Sequence, residues 1–441
     1  MKRRFLWISE HASPLALLGG ADSGGQNVYV AQIARQLASS GHEVDILTRR
    51  DRHDLSPAIW LHEGVRVIHV PAGPPKPVCK EALLPYMREF TDFSLRYLRH
   101  RKVPYDLIHA NFFMSALVAA EIKRVTGTPF VVTFHALGKV RRLHQACADA
   151  FPEERLAIED RVVAETDQII AECPQDKQDL IKLYRADPWK ITTIPCGFDS
   201  SEFWPMDRSE ARARLGLPQD EPIILQLGRM VPRKGVDNVI RALARLRKLR
   251  SISARLLVVG GESREPDPDS TPEIGRLQSI AREEDVADAV CFVGSRGRQE
   301  LRDYYSAADV FVSTPWYEPF GITPLEAMAC GTPVIGSAVG GIKSTVLDGE
   351  TGYLVRPNAP DALADRLASL LEDPERRRVL SEKSLAHVNS LYTWRNVSQS
   401  LEDLYESVID QCRVNDLRKG HAKMARWLAA RVLAHPGFRT S

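Results

Sequence analysis

The sequence predicts an α/β protein built from two doubly wound parallel sheets. Three observations support this: the length of 441 residues, short apolar runs that alternate with helical periodicity, and a restart of that alternation after about residue 205. A chain of this length exceeds the size at which one hydrophobic core stops growing, so two domains are expected. Strands that alternate with helices favour parallel sheets, which bind ligands in a crevice at the carboxyl ends of their strands.

Short apolar runs in the first half alternate with helical segments. The run at 5–8 predicts the first strand, and a glycine-rich loop over 19–25 follows it. Val28, Ile33 and Leu37 then repeat with helical spacing, which predicts a helix over 28–40 that ends at Gly41. The alternation continues through further predicted strands at 44–47, 65–70, 107–109, 130–134 and 168–171. This pattern favours a parallel, doubly wound sheet.

The second half restarts the pattern after a segment over 195–205 that contains Pro, Gly, Asp and Ser, which we interpret as a linker. An Arg- and Leu-rich helix is predicted over 236–249. The predicted strands of this half lie at 222–227, 255–260, 290–293, 310–312 and 332–336. We therefore expect three units: a Rossmann-like domain over 1–200, a second over 206–392, and closing helices over 393–441 that cross back to the first domain.

The composition is that of a soluble globular protein, with 44% hydrophobic and 26% charged residues. A net charge of +2 argues against a nucleic-acid partner. No apolar run reaches the roughly 18–20 residues needed to cross a bilayer, and the run after the basic N-terminus is too short for a signal peptide. The seven cysteines are dispersed without a CxxC pair, which favours reduced thiols in the cytoplasm over disulfides or a zinc site.

The segment over 413–441 is strongly basic. Its Lys and Arg residues are interleaved with Trp427, Leu428, Val432 and Leu433, which indicates a basic amphipathic helix. Such a helix can contact an anionic membrane surface at the inner face of the membrane. The alternative is a tail that is disordered or packs on a domain. The sequence leaves both interpretations open, and it does not fix the oligomeric state.

The segment over 316–331 places Glu318 and Glu326 on either side of a glycine and a predicted helix start. Thr323 is the expected N-cap, Pro324 the first helical residue, and Glu326 a residue of the first turn. Backbone N–H groups near a helix start can bind an anion, and the two carboxylates can accept hydrogen bonds from hydroxyls. A ligand with phosphates and several hydroxyls, such as a nucleotide sugar, fits this pattern.

Three weaker signals follow predicted strands. Gly24 and Gly25 end the first loop, where backbone amides can approach a phosphate or a sugar, and a tight turn explains them equally well. Arg229 and Lys234 flank a turn, where they can neutralise a diphosphate; the alternative is a solvated basic loop. His135 follows the strand at 130–134, and a lone histidine in such a place is more often structural.

Together these motifs resemble the retaining glycosyltransferases of family 4, which have the GT-B fold of two facing Rossmann-like domains. The resemblance covers the chain up to about residue 410. It implies that Glu318 holds the donor-sugar hydroxyls, that Glu326 holds the ribose, and that no metal or cofactor is needed beyond a UDP-sugar or GDP-sugar as co-substrate. It further implies a diphosphate site and a histidine beside the donor sugar. The residues implied in donor binding or catalysis are Gly24, Gly25, His135, Arg229, Lys234, Glu318, Phe320, Gly321, Ile322 and Glu326.

The acceptor side resembles two branches of the family, sucrose-phosphate synthase and the bacterial N-acetylglucosaminyl transferase that acts on inositol phosphate. The segment over 79–86 is similar to the one that holds acceptor phosphate, and Lys80 and Arg155 fall where both branches place phosphate-binding cations. Asn111 stands where many relatives have histidine. The resemblance implies retaining transfer of a hexosyl group from a UDP-sugar, or from GDP-mannose, to a hydroxyl of a phosphorylated sugar or polyol.

Other functions stay open. A transferase of exopolysaccharide or glycolipid assembly has the same donor motifs and a lipid-linked acceptor. An NAD-dependent oxidoreductase is expected to show G-x-G-x-x-G, which the first loop lacks. A non-catalytic sugar-nucleotide-binding protein is expected to have a degenerate site, whereas both glutamates and the basic pair are intact here. Asp267-Pro268-Asp269 imitates the DxD metal motif of another glycosyltransferase class, but its proline-rich setting indicates a surface turn.

Overall fold

Two parallel sheets form the molecule, as the sequence predicts. A computed structural model describes residues 1–16, 24–101, 103–145 and 149–433, and in the last helix it describes side chains only up to residue 415 and at 417. Residues 19–23 of the glycine loop predicted over 19–25, and residues 434–441 of the basic tail, therefore lie outside the described residues. No helix in the described part of the chain is both long and apolar enough to span a membrane.

The first sheet has eight strands in the order β3-β4-β2-β1-β5-β6-β7-β8, all parallel except the edge strand β3, which pairs antiparallel with β4. Its strands are β1 Arg4–Ile8, β2 Glu43–Arg49, β3 Ala58–His62, β4 Val65–Val70, β5 Leu107–Asn111, β6 Phe130–Thr133, β7 Gln168–Ala171 and β8 Ile191–Thr193. The helices between them are α1 Gly25–Ser39, α2 Met87–Arg99, α3 Phe113–Thr126, α4 Gly138–Gln145, α5 Glu154–Glu165 and α6 Pro174–Tyr184. Central strands such as β1 and β5 are buried along nearly their whole length, as expected for a sheet covered on both faces.

The second sheet has six strands in the order β11-β10-β9-β12-β13-β14, all parallel. Its elements are α7 Arg208–Leu215, β9 Ile223–Leu227, α8 Val236–Arg250, β10 Arg255–Val259, α9 Pro272–Glu283, β11 Val290–Gly294, α10 Arg298–Ala307, β12 Val310–Ser313, α11 Ile322–Ala329, β13 Val334–Ser337, α12 Ile342–Thr345, β14 Gly352–Val355, α13 Pro360–Leu371 and α14 Pro374–Leu391. The strand order reverses between β9 and β12, and ligands bind at such a switch point in open α/β sheets.

The chain passes between the sheets twice, and the two passages lie side by side. The Phe198 backbone N–H donates to the carbonyl of Tyr392, and the Trp394 N–H donates to the carbonyl of Phe198. A closing helix, α15 Trp394–Leu433, then packs against α1 of the first domain. Arg3 anchors it through a bidentate ion pair with Glu406, with nitrogen–oxygen distances of 2.8 and 2.5 Å.

Five features of the secondary structure differ from the prediction. The first helix begins at Gly25, with Gly24 as its N-cap, and not at residue 28. Three strands, β3, β8 and β14, were not predicted from the sequence. β3 is exposed along most of its length and β8 has three residues, so neither shows a buried apolar run. The start of α11 also differs, as described with the site below.

The contact of α15 with the first sheet can be tested at Tyr405. Its hydroxyl lies 2.5 Å from Nδ1 of the buried His109 on β5. We expect Tyr405→Phe to lower the free energy of unfolding by about 1–3 kcal/mol, because a buried ring nitrogen loses its partner. Tyr353→Phe is the matched control, because the Tyr353 hydroxyl is also buried but has no hydrogen-bond partner in the described part of the chain. Equal urea-unfolding midpoints for the two variants contradict the expectation.

Candidate active site

A cavity of about 690 Å³ lies between the carboxyl ends of the two sheets. Both domains line it, and every residue that the sequence analysis assigned to donor or acceptor binding contributes to its wall. These residues are Gly24, Gly25, Lys80, His135, Arg155, Arg229, Lys234, Glu318, Phe320, Gly321, Ile322 and Glu326. The structure therefore brings together groups that are up to about 300 positions apart in the chain.

Glu318 lies in the loop between β12 and α11 and is held by two cations. The Lys234 ammonium donates to Glu318 Oε2, and Arg233 Nη1 lies 3.3 Å from the same oxygen. Arg233 also donates to the carbonyl of Tyr317 at 3.0 Å. Burial opposes ionisation of Glu318, but the charges of Lys234 and Arg233 lower its pKa to about 2. The carboxylate is therefore a fixed anion that can accept hydrogen bonds from hydroxyls.

Lys234 projects from a one-turn 3-10 helix after β9, beside two other cations of the same loop. Burial, together with the charges of Arg233 and Arg229, outweighs the attraction of Glu318 and lowers the pKa of Lys234 to about 8. The sequence analysis singled out Arg229 and Lys234 but not Arg233. The only feature of the sequence that marks Arg233 is its position beside Lys234 in the same basic turn.

Gly340 and Gly341 pack directly against the backbone of the loop that carries Glu318. A Cβ atom on Gly340 would lie 1.7 Å from the Glu318 carbonyl oxygen, and one on Gly341 would lie 2.4 Å from the Phe320 carbonyl oxygen. Gly340 has φ +46°, in the left-handed region. The backbone of 318–320 thus rests directly on the backbone of 340–341, a contact that only glycine permits.

Helix α11 begins at Ile322, and its N-cap is Gly321 with φ +94°. The prediction that Thr323 caps this helix was wrong, because the left-handed glycine turns the chain into the helix two residues earlier. Pro324 is then the third helical residue, where its missing N–H costs no intrahelical bond. Glu326 lies beyond the first turn and faces the interior, with 2% of its surface exposed.

Two side chains from α10 hold Glu326. Arg298 Nη1 lies 3.0 Å from Oε1, and the Tyr305 hydroxyl donates to Oε2 at 2.9 Å. Burial raises the pKa of Glu326 despite the opposing charge of Arg298. Arg298 also pairs with Glu202 of the linker. Neither Arg298 nor Tyr305 was identified from the sequence, because no motif marks a residue that acts by holding another residue.

The first domain meets the donor-side residues at the start of α1. A Cβ atom on Gly25 would lie 3.3 Å from Ile322 Cδ1, and one on Gly24 would lie 3.9 Å from the Arg229 guanidinium carbon. Gly24 and Gly25 therefore lie against the donor-side loop of the second domain.

His135 follows β6 with φ +56°, a conformation that turns the chain sharply at the cavity wall. Its Nδ1 lies 3.0 Å from Glu172 Oε1, at the end of β7, and its Nε2 lies 3.0 Å from the Asn111 amide oxygen, at the end of β5. Burial opposes ionisation of Glu172, yet the charge and hydrogen bond of His135 hold the pKa of Glu172 below its usual value. Glu172 was not singled out from the sequence.

The two predicted acceptor cations differ in their surroundings. Lys80 lies in the 3-10 turn Lys80–Ala82 at the cavity wall. Arg155 is 1% exposed, and its Nε donates to Glu159 Oε1 at 2.7 Å and its Nη2 to the Ala136 carbonyl at 2.6 Å. Its Nη1 is buried and has no hydrogen-bond partner among the residues that the structure describes. The guanidinium lies over three aromatic rings, those of Phe112, Phe113 and Phe151.

The Asp267–Asp269 segment forms a turn. The Asp267 carboxylate accepts hydrogen bonds from the backbone N–H groups of Asp269 and Ser270. Among the described residues there is no group of three or more His, Cys, Asp or Glu side chains that could hold a metal ion.

Two facing Rossmann-like domains with this cleft define a glycosyltransferase of the GT-B fold. Family models match both halves: "Glycosyltransferase Family 4" over 23–202 and "Glycosyl transferases group 1" over 207–386. The sucrose-phosphate synthase structure from Thermosynechococcus elongatus superposes with a TM-score of 0.85 and is 34% identical, over 93% of this chain and 100% of that one.

The chain belongs to glycosyltransferase family 4 and is a hexosyltransferase. It is 38% identical to the D-inositol 3-phosphate glycosyltransferase of Stackebrandtia nassauensis over 96% of this chain and 95% of the relative. It is 37% identical to D-inositol 3-phosphate glycosyltransferase 2 of Catenulispora acidiphila, over 94% of this chain and 97% of the relative. The predicted family and the predicted fold class are confirmed.

Proposed function

We propose that this enzyme transfers a hexosyl group from a nucleotide sugar, a UDP-sugar in preference to a GDP-sugar, to a hydroxyl of a phosphorylated sugar or polyol with retention of anomeric configuration. One observation carries the proposal: a single cavity has Glu318 with Lys234 on one wall and Lys80 with Arg155 on the other. The relatives named for inositol 3-phosphate and sucrose phosphate support a phosphorylated acceptor.

The donor wall matches the charges of a nucleotide sugar. Arg229 and Lys234 neutralise the diphosphate, and the N–H groups at the start of α11 add a positive field where an anion binds. Glu318 accepts hydrogen bonds from the sugar hydroxyls, and Glu326 accepts them from the ribose. Lys234 already donates a hydrogen bond to Glu318. When the donor binds, the Lys234 ammonium group shares its hydrogen bonds between the Glu318 carboxylate and the diphosphate.

The reaction needs no carboxylate nucleophile. The bond between the anomeric carbon and the diphosphate oxygen breaks, and the acceptor oxygen bonds to the same carbon from the same face. The acceptor proton passes to an oxygen of the leaving diphosphate. The cations at Arg229 and Lys234 stabilise the charge that develops on that diphosphate, and domain closure around the cleft excludes water.

The proposal is tested with the full-length enzyme and a panel of UDP- and GDP-sugars, with nucleoside diphosphate release as the readout. Products are then identified by mass spectrometry with inositol phosphate, fructose 6-phosphate and a lipid-linked sugar as acceptors. Transfer to a phosphorylated acceptor, with the product anomer matching the donor by NMR, supports the proposal. Transfer only to the lipid-linked acceptor, or inversion of configuration, contradicts it.

The ionisation of Lys234 gives a pH prediction. With a pKa of about 8, Lys234 loses its positive charge as the pH rises through that value, so kcat/KM for the donor is expected to fall above pH of about 8. In Lys234→Arg the cation stays protonated at every accessible pH, and this fall is expected to disappear. Profiles normalised to each enzyme's own maximum are compared. The same alkaline fall in Lys234→Arg shows that another group causes it.

A further inference from the structure

The ring of His135 is held at both nitrogens by groups that can only accept a hydrogen bond. Nδ1 lies 3.0 Å from a carboxylate oxygen of Glu172, and Nε2 lies 3.0 Å from the amide oxygen of Asn111. The orientation of the Asn111 amide follows from its nitrogen, which donates to the Ile8 carbonyl at 3.4 Å. A neutral imidazole has one N–H and can make only one of these two bonds, whereas an imidazolium makes both.

A buried histidine on β5 shows the opposite arrangement. His109 Nδ1 lies 2.5 Å from the Tyr405 hydroxyl, and its Nε2 lies 2.8 Å from the Thr133 hydroxyl. A hydroxyl either donates or accepts, so a neutral ring satisfies both bonds. Burial lowers the pKa of His109 well below its ordinary value, which keeps this ring neutral. The two histidines thus differ in the kind of partner they have.

Glu172 is the counter-ion of His135, because the other ionisable groups nearby are either neutral or already paired. Tyr29 of α1 packs edge-on with its ring centre 5.1 Å from that of His135, and the Cys196 thiol of the linker lies 3.0 Å from Glu172 Oε1. Burial raises the pKa of both groups well above their ordinary values, so both stay neutral. Across the cleft, Glu318 acts electrostatically on Glu172, but its own charge is balanced by Lys234 and Arg233.

We propose that Glu172 is a positioning residue that, with Asn111, holds His135 as an imidazolium and so places a fixed positive charge on the first-domain wall of the cleft. This inference rests on the proposed function, in which the donor diphosphate becomes more negative as its bond to the sugar breaks. A fixed cation on the wall opposite Lys234 and Arg229 stabilises that charge.

The protonation state is measured directly by long-range 1H–15N NMR of the full-length enzyme labelled at histidine, at pH 7.5. The His135 signals are assigned with a His135→Gln variant, and His109 serves as an internal neutral reference. We expect two protonated nitrogens on His135 in the wild type and one in Glu172→Gln. Cys196→Ala is the control, because it removes the other partner of the same carboxylate oxygen and leaves the charge of Glu172 in place. It is expected to keep the doubly protonated ring.

The kinetic arm separates this role from a purely structural one. At pH 8, Glu172→Gln is expected to lower kcat by about 10–100-fold, the scale of one electrostatic contact in a transition state, with a smaller loss at pH 6 where the ring reprotonates. The affinity for UDP, measured by calorimetry, is expected to stay within about twofold, because the donor-domain contacts are intact. Glu172→Asp, which keeps the charge, is expected to restore part of the activity at pH 8.

Two results overturn the inference: a singly protonated His135 in the wild type, or an equal loss of kcat at pH 6 and pH 8 in Glu172→Gln. If the wild type transfers no sugar from any nucleotide sugar, the proposed function fails. The NMR comparison of the wild type with Glu172→Gln then still decides whether Glu172 holds the imidazolium.

Discussion

Glu318→Gln is expected to lower kcat/KM for the nucleotide-sugar donor by about 10²–10³-fold, because it removes a half-buried carboxylate that two cations hold in place. Glutamine can still accept a hydrogen bond but carries no charge, so Lys234 and Arg233 lose their counter-ion. The affinity for UDP is expected to stay equal or to rise, since a neutral glutamine competes less strongly than the Glu318 carboxylate with the diphosphate for Lys234. Turnover assays and calorimetry with UDP measure the two effects separately.

Glu375→Gln is the matched control for the loss of one carboxylate. Glu375 pairs with Arg378 on the exposed surface of α14, away from the cleft, and both measured quantities are expected to match the wild type. A parallel loss of UDP affinity and turnover in Glu318→Gln contradicts the division of roles between Glu318 and Lys234. It indicates instead that the ion pair mainly holds the diphosphate-binding loop together.

The fold class follows from the sequence because most strands of both sheets are buried, and their continuous apolar runs are visible along the chain. β7 was predicted with the same bounds as the structure shows, and β12 to within one residue. β14 was missed because its four residues begin with a glycine and carry no long apolar run. The antiparallel edge strand β3 was missed because exposed strands lack the buried pattern on which such predictions depend.

The segment over 316–331 shows what helix-start signals in the local sequence can miss. Thr323 and Pro324 have the composition of a helix start, but Gly321 adopts a left-handed φ, and that single turn sets the start of α11 at Ile322. As a consequence, Glu326 lies beyond the first turn and faces the interior, where α10 holds it. Local sequence propensity does not reveal a backbone turn that depends on contacts with residues distant in the sequence, here Gly340 and Gly341.

The partners of the site residues are the part that sequence reasoning could not supply. Arg298 and Tyr305 come from α10 and hold a carboxylate of α11, while Glu172 comes from β7 and holds a histidine that follows β6. Each pairing depends on which strands and helices are neighbours in space. Motifs predicted residues that line the cavity, and the structure shows the groups that fix their charge and orientation.

Gly340→Ala is expected to lower turnover by about 10²-fold or more, because a displacement of about 1 Å in a positioning group can cost that much. The new Cβ would lie 1.7 Å from the Glu318 carbonyl oxygen and 2.9 Å from its carbonyl carbon. Both atoms belong to the backbone, so a side-chain rotation cannot relieve the contact. The loop over 318–320 has to move, and Glu318 moves with it away from Lys234.

Gly349→Ala is the control that distinguishes displacement of the loop over 318–320 from backbone strain at the substituted glycine. Gly349 also has a left-handed φ, +79°, but a Cβ atom there meets nothing within 4 Å. It is expected to lose only about 1 kcal/mol of stability and to keep its turnover, because alanine in this conformation is strained but not obstructed. Turnover and thermal unfolding are measured for both variants. If the two glycine variants lose turnover equally, the contact between Gly340 and the Glu318 backbone does not position the Glu318 carboxylate. If only Gly340→Ala loses turnover, this close backbone contact is what positions the loop that carries Glu318.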